Sequence, residues 1–211
     1  MEGIKDPELY QIAQTSLSEY IEKLKSLKDG IIPTTEYSHH TTRLSQCQKS
    51  FQAIYWANSS ESIYKNEDTF AGKNYYELNV EAVQRGVKID RIFILNKADM
   101  LNSEEKFHDK KALKIIKQQQ ENGINVRICW TENLKEFPDS KNLFRDFGII
   151  DNIEVMEQLY GAGNSRPGSK LIKQEYEVRK CREIFQKLWR VSRPLDEVLE
   201  KHKEVEDEQM N

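Results

Sequence analysis

Two stretches of this chain share one grammar, a helix-period run, then a glycine, then a short run of β-branched and aromatic residues. In the first, Tyr76, Val80 and Val83 recur at i, i+4 and i+7, Gly86 sits where a helix C-cap belongs, and Val87 to Leu95 has strand composition. In the second, residues 106–121 are helical in period, Gly123 stops them, and Ile124 to Trp130 (INVRICW) is again strand-like. Two helix-to-strand units in series place their strands in one sheet with helices packed against it. The expected class is therefore α/β, a central mixed sheet flanked by helices.

The remaining segments extend that plan. Pro7 fits the first turn of a helix, and Tyr10, Ala13, Leu17, Tyr20, Ile21, Leu24 and Leu27 follow at spacings of three and four until Gly30. The ordinary account of this stripe is packing on the domain's own core; its a/d-like seam also fits a homodimer or partner face. Residues 33–48 are polar and read as a short strand or loop plus a helical turn. Phe51 to Ala57 reads as a strand, and residues 61–72 as a loop or 3₁₀ turn. A polar connection containing Pro138 leads to two strands, RDFGIID and IEVMEQLY, which form a hairpin turning at Asp151 and Asn152. Gly161 to Ser169 is a flexible loop and Lys170 to Gln174 a short strand. A helix from Glu175 carries Cys181, Ile184, Phe185 and Leu188 on one stripe. Pro194 interrupts it, and a last short helix fades into a charged, frayed tail. The expected organisation is an N-terminal helix (1–30), an α/β domain (31–194), and a C-terminal helix with its tail (195–211).

Composition removes several classes. The net charge of -3, from 32 basic and 35 acidic residues, gives no global electrostatic case for nucleic acid. No apolar run approaches the roughly 20 residues that span a bilayer, and the first residues lack the regions of a signal peptide, so a cytoplasmic location is expected. The three cysteines, Cys47, Cys129 and Cys181, form no CxxC pair. Neither a disulfide framework nor a zinc knuckle is indicated, and no cofactor is expected.

In RGVKIDRIFIL, IKQQQENGINVRICW and RDFGIIDNIEV the chain resembles a phospholipase D-like domain, a superfamily that repeatedly follows a helix ending in Arg-Gly-Val with an inner strand, here Arg85, Gly86 and Val87. It is similar in particular to bacterial modules of that kind that end in a helix like REIFQKLW, Arg182 to Trp189. The resemblance runs from about Phe51 to Pro194 and implies phospholipase D-like topology. Active members carry HxKxxxxD, in which the His attacks phosphorus, the Lys neutralises phosphate charge and the Asp orients. If Asp151 takes the place of that Asp, Phe144 stands in the His position and Asp146 in the Lys position. Phenylalanine cannot be a nucleophile, and a carboxylate there repels a phosphodiester. None of His39, His40, His108 and His202 begins such a motif. The resemblance thus implies the fold with a degenerate active site.

Several residues are candidates for ligand contact. His39, His40 and Arg43 lie together in HHTTR, where imidazole suits metals and guanidinium grips phosphate; the plainer account is a solvated loop. Asp146, Asp151 and Glu154, with Lys97 and Asp99, could converge at strand ends to hold Mg²⁺ or do acid–base work, although turn and edge roles are commoner for such residues. Arg85 could contact a ligand or simply complement a helix dipole. Among the aromatic residues, Trp56 could line a pocket or pack in the core. The leading expectation is a non-catalytic sensor or binding module of a bacterial regulatory or defence pathway, taking a small or phosphate-containing ligand. The alternatives are a divergent phosphodiesterase or nuclease using His39, His40 or the acidic cluster, and a self-associating structural protein.

Overall fold

Backbone stereochemistry supports the repeated helix–glycine–strand reading. Gly86 and Gly123 both adopt left-handed conformations, with φ of 89° and 87°, which an L side chain resists. Each closes a helix and redirects the chain into a strand. The computed structural model describes residues 6–28, 31–34, 37–135, 137–138, 140–159 and 168–203. Within them the strands are β1 (Ile31–Thr34), β2 (Ser50–Trp56), β3 (Lys88–Leu95), β4 (Asn125–Trp130), β5 (Phe147–Ile150), β6 (Glu154–Leu159), β7 (Gly168–Ile172) and β8 (Arg193–Pro194). The helices are α1 (Pro7–Lys28), α2 (Tyr37–Ser45), α3 (Ser60–Glu67), α4 (Phe70–Gln84), α5 (Lys97–Met100), α6 (Lys110–Glu121), α7 (Thr131–Leu134), α8 (Glu175–Val191) and α9 (Leu195–Lys201).

The strands form one sheet in the order β1-β7-β6-β5-β2-β3-β4-β8. Its centre, β2-β3-β4, is parallel, as helical crossovers require. The neighbours on both sides are antiparallel, with β5 against β2 and β8 against β4. The expected α/β class, mixed sheet and N-terminal helix are all present.

Alternation along the strands gives the sheet two buried faces. Ile89, Phe93 and Leu95 join Phe51, Val126 and Ile128 under α2, α3, α4, α6 and α9. Ile92, Ile94, Ile54, Cys129 and Ile149 face the other way, beneath Val178, Cys181, Phe185 and Leu188 of α8. At the β2–β5 contact a Cβ on Gly148 would come within 2.3 Å of the Phe51 ring, so glycine is what allows the ring to lie across the strand. The β5–β6 hairpin turns at Asp151 and Asn152, with φ of 50° and 62° and a 3.0 Å bond from Ile153 N–H to Ile150 C=O. That is the primed turn expected for this pair of residues.

Some expectations fail locally. Residues 61–72 are mostly helical: Ile63 and Tyr64 give α3 an apolar contact with the core, but one too short to display a period. Residues 37–45 form a whole helix rather than a turn. The helix expected from residue 106 starts at Lys110, because Asp109 caps it by accepting from Ala112 N–H at 3.0 Å. The apolar seam of α1 does not pack on the domain core, since Tyr10, Leu17, Tyr20, Ile21, Leu24 and Leu27 are all exposed. The loop expected over residues 161–169 falls largely outside the described residues, as does most of the charged tail.

Candidate functional site

The carboxyl ends of parallel strands in an α/β sheet are where ligands ordinarily enter. Here β3 runs out into Asn96 and α5, while β4 ends at Trp130 and turns into α7. The last described helix, α9, ends at the same place, with His202 against Trp130. Between these elements lies a cavity of about 410 Å³, with Lys97, Trp130, Arg193, Glu197, Lys201 and His202 in its wall. That volume is within the usual range for small-molecule pockets.

The wall is predominantly basic. The ammonium groups of Lys97 and Lys201 form no ion pair with any described residue. Arg193 approaches Glu197, the wall's carboxylate, at 3.8 Å, and both are well exposed, so this pair neutralises little. Glu132, outside the wall, accepts from Lys97 backbone N–H at 3.2 Å. Behind the wall, burial lowers the Arg127 pKa, with Arg193 adding to the decrease and Glu197 opposing it. Arg127 is fixed by Ser192, donating to its hydroxyl at 3.0 Å and its carbonyl at 2.6 Å, and lies over the Trp189 ring.

His202 is 2% exposed and held from several sides. Its Nδ1 is 2.8 Å from the Glu105 carbonyl oxygen, and Phe107 and Trp130 meet its ring edge-on. The carbonyl oxygen can only accept, so Nδ1 donates to it and the ring's orientation is fixed. The cavity therefore sets the cationic side chains of Lys97, Arg193 and Lys201 beside one imidazole of fixed orientation, and those cations suit it to an anionic group.

The residues singled out in the sequence divide between opposite ends of the sheet. Arg43, Arg85, Asp151 and Glu154 lie at the amino end of the parallel strands; Trp56, Asp146, Lys97 and Asp99 lie at the carboxyl end. The expected acidic convergence is thus split by the length of β5. Among the described residues no group of three His, Cys, Asp or Glu side chains could hold a metal. His39 and His40 sit on α2, a helix rather than a strand, and their side chains lie outside the described residues.

Most of these candidates already have intramolecular partners. Arg43 grips both oxygens of Glu154, which is 1% exposed, with Nε donating at 2.6 Å and Nη2 closer still. Lys173 stands 3.5 Å from the same carboxylate. Asp151 accepts from the backbone N–H groups of Gln48, Lys49 and Ser50 at 3.0, 2.7 and 3.0 Å. Burial opposes its charge, but these donors and the Cys47 thiol hold its pKa below the ordinary value. Trp56 packs on Phe144, ring centroids 5.8 Å apart. Arg85 caps α4 and reaches the Leu44 carbonyl at 3.5 Å.

The sequence pattern of the family described as "Domain of unknown function (DUF6879)" matches residues 48–200. The chain belongs to this family. The match takes in every described strand of the DUF6879 domain except β1, and the whole cavity wall apart from Lys201 and His202. No curated protein matches the sequence significantly. Among solved structures the domain is similar to Nuc of Salmonella typhimurium, a phospholipase D family member, with 12% identity, a TM-score of 0.49, and coverage of 74% of this chain and 88% of that one. It is also similar to NucT from Helicobacter pylori, with 13% identity, a TM-score of 0.43, and coverage of 75% and 89%. A third is TrmBL2, an archaeal chromatin protein, with 19% identity, a TM-score of 0.47, and coverage of 89% of this chain and 64% of that one. At these values no residue role and no activity passes to the DUF6879 domain.

Neither Lys201 nor His202 stood out in the sequence, because no motif marks them. The available signal was weak: a short helix of mixed charge after Pro194, ending in Lys-His-Lys.

Proposed function

We propose that this DUF6879 domain is a non-catalytic, phospholipase D-like module that binds a phosphate-containing ligand and serves a bacterial regulatory or defence pathway. The observation that carries the reading is the 410 Å³ cavity at the carboxyl ends of β3 and β4, where Lys97, Arg193 and Lys201 outnumber the one wall carboxylate, Glu197. Absence of catalysis is supported by the positions where the resemblance would place reactive groups. Phe144 is packed against Trp56, and Asp151 is committed to three backbone donors. The divergent-hydrolase alternative loses its acidic cluster to the separation described above.

Calorimetric titration with adenosine monophosphate and with inorganic phosphate tests the reading. Saturable binding is expected, weakened at least tenfold, or about 1.4 kcal/mol, by Arg193→Glu with Lys201→Glu. Hydrolysis of bis(p-nitrophenyl) phosphate should stay at background. Turnover that disappears when β5 is altered, or titrations indifferent to the double substitution, would reject it.

A second reading concerns assembly, and the exposed seam of α1 favours it. Tyr10, Ala13, Leu17, Tyr20, Leu24 and Leu27 follow strict three-four spacing. The charges along α1 are mixed in sign, with Lys25 paired to Glu22 at 2.7 Å, so the apolar stripe rather than charge is what favours a second copy.

A further inference from the structure

A different cavity lies on the same face of the sheet, over β2 and β3 rather than at the end of β4. Along that face Ile89, Phe93 and Leu95 are core residues, and the position among them is Arg91, 4% exposed. An arginine at a core position must have every N–H met and its charge balanced, because burial of an unpaired ion is strongly unfavourable. The first condition is addressed. Nη1 donates to Gln119 Oε1 at 2.5 Å, and Nη2 donates to Asn79 Oδ1 at 2.8 Å and to the Tyr75 hydroxyl at 3.4 Å. The second condition is not met within the described chain: no carboxylate forms an ion pair with Arg91. The adjacent Asp90 belongs to the opposite face, where Lys88 and Asn125 hold it at 3.1 and 2.8 Å.

The partners are therefore neutral where a purely structural site would gain from an acid. Asn79 and Gln119 are themselves buried, and Asn79 is further fixed by donating to the Tyr75 carbonyl at 2.6 Å. They aim the guanidinium without cancelling its charge. Beside it is a cavity of about 40 Å³, walled by Tyr55, Tyr75, Phe93, Gln119 and Arg91. A single water needs roughly 10–15 Å³ on the same measure, so there is room for a small polyatomic group and none for a nucleotide.

We propose that Arg91 and Tyr75 form a second site, selective for a small oxyanion, a carboxylate or phosphate group, which supplies the missing counter-charge between α3, α4 and α6. The anion takes the place of the longest of these bonds, Nη2 to the Tyr75 hydroxyl at 3.4 Å, and so meets the released Nη2 hydrogen beside the remaining Nη1 hydrogen, with the displaced Tyr75 hydroxyl donating to it. The site is separate from the cavity at the strand ends, and neither reading depends on the other.

The test uses the full chain carrying Arg193→Glu and Lys201→Glu, which silences the strand-end cavity. Formate and inorganic phosphate are titrated separately at constant ionic strength, with tyrosine fluorescence and thermal unfolding as readouts. At least one anion should give a saturable response and a raised Tm, and the stronger of the two identifies the geometry preferred. Adding Arg91→Met should abolish the response. Should that variant not fold, Tyr75→Phe, which removes one oxygen atom, should weaken binding at least threefold. An equal response with and without Arg91, or no saturable response to either anion, overturns the proposal, as does an Arg91→Met chain that is more stable than its parent when the parent ignores both anions.

Discussion

Asp151 occupies a left-handed turn position and also caps the loop entering β2, so one residue joins the β5–β6 hairpin to the start of the parallel sheet. Three backbone donors converge on its carboxylate, and hydrogen bonds to a charged group are stronger than neutral ones. Asp151→Ala is expected to cost about 2 kcal/mol in chemical denaturation, while Asp151→Asn, which keeps the turn conformation and an acceptor, should cost less. The pH dependence has a definite sign. The folded-state pKa lies below the ordinary 3.8, so the stabilisation is complete above that value and disappears as the pH falls through the lower, folded-state one. Thermal melts should therefore show a constant gap between wild type and Asp151→Asn near neutrality that narrows in acid. A gap that does not change with acidification would assign the contribution to turn geometry alone.

The ion pair of Arg43 with Glu154 joins α2 to β6, two elements far apart in the chain. Glu154 is buried, so removing the guanidinium leaves a carboxylate whose remaining ion-pair partner among the described residues is Lys173. Arg43→Ala should cost about 3 kcal/mol, and combining it with Glu154→Gln should recover a good part of the loss. Equal stability of the single and double variants would show that the pair is not coupled. This clamp illustrates what the sequence discloses and what it hides. Arg43 could be noticed because it follows two histidines, but its partner lies over a hundred residues away, and no local pattern encodes that distance. Strands β2, β3 and β4 were legible because β-branched runs follow glycine stops. The hairpin was legible because Asp-Asn favours left-handed turns. Helix α3 was not, since a single buried isoleucine gives no period. The strand-end cavity was hidden for the same reason as the clamp: Lys97 and His202 meet only after the sheet has formed. Arg91 did leave a trace, a charged residue placed among the apolar ones of KIDRIFIL.

At the scale of the whole molecule, the sheet buries both faces while α1 keeps an apolar seam in solvent. Replacing Leu17 and Leu24 with serine should convert any dimer seen by light scattering into monomer, with little change in the unfolding midpoint of the α/β body. An unchanged mass distribution in wild type and variant would remove α1 as an assembly element. The sheet's borders have a separate consequence. One outer strand, β1, carries Pro33 in its middle, and the other, β8, is two residues long and ends in Pro194. Proline has no N–H to offer, and so short a strand is a poor template for another backbone. Ribbon-by-ribbon growth is thus blocked at both margins, and concentrated, natively folded samples should leave thioflavin dark even where the molecules cluster.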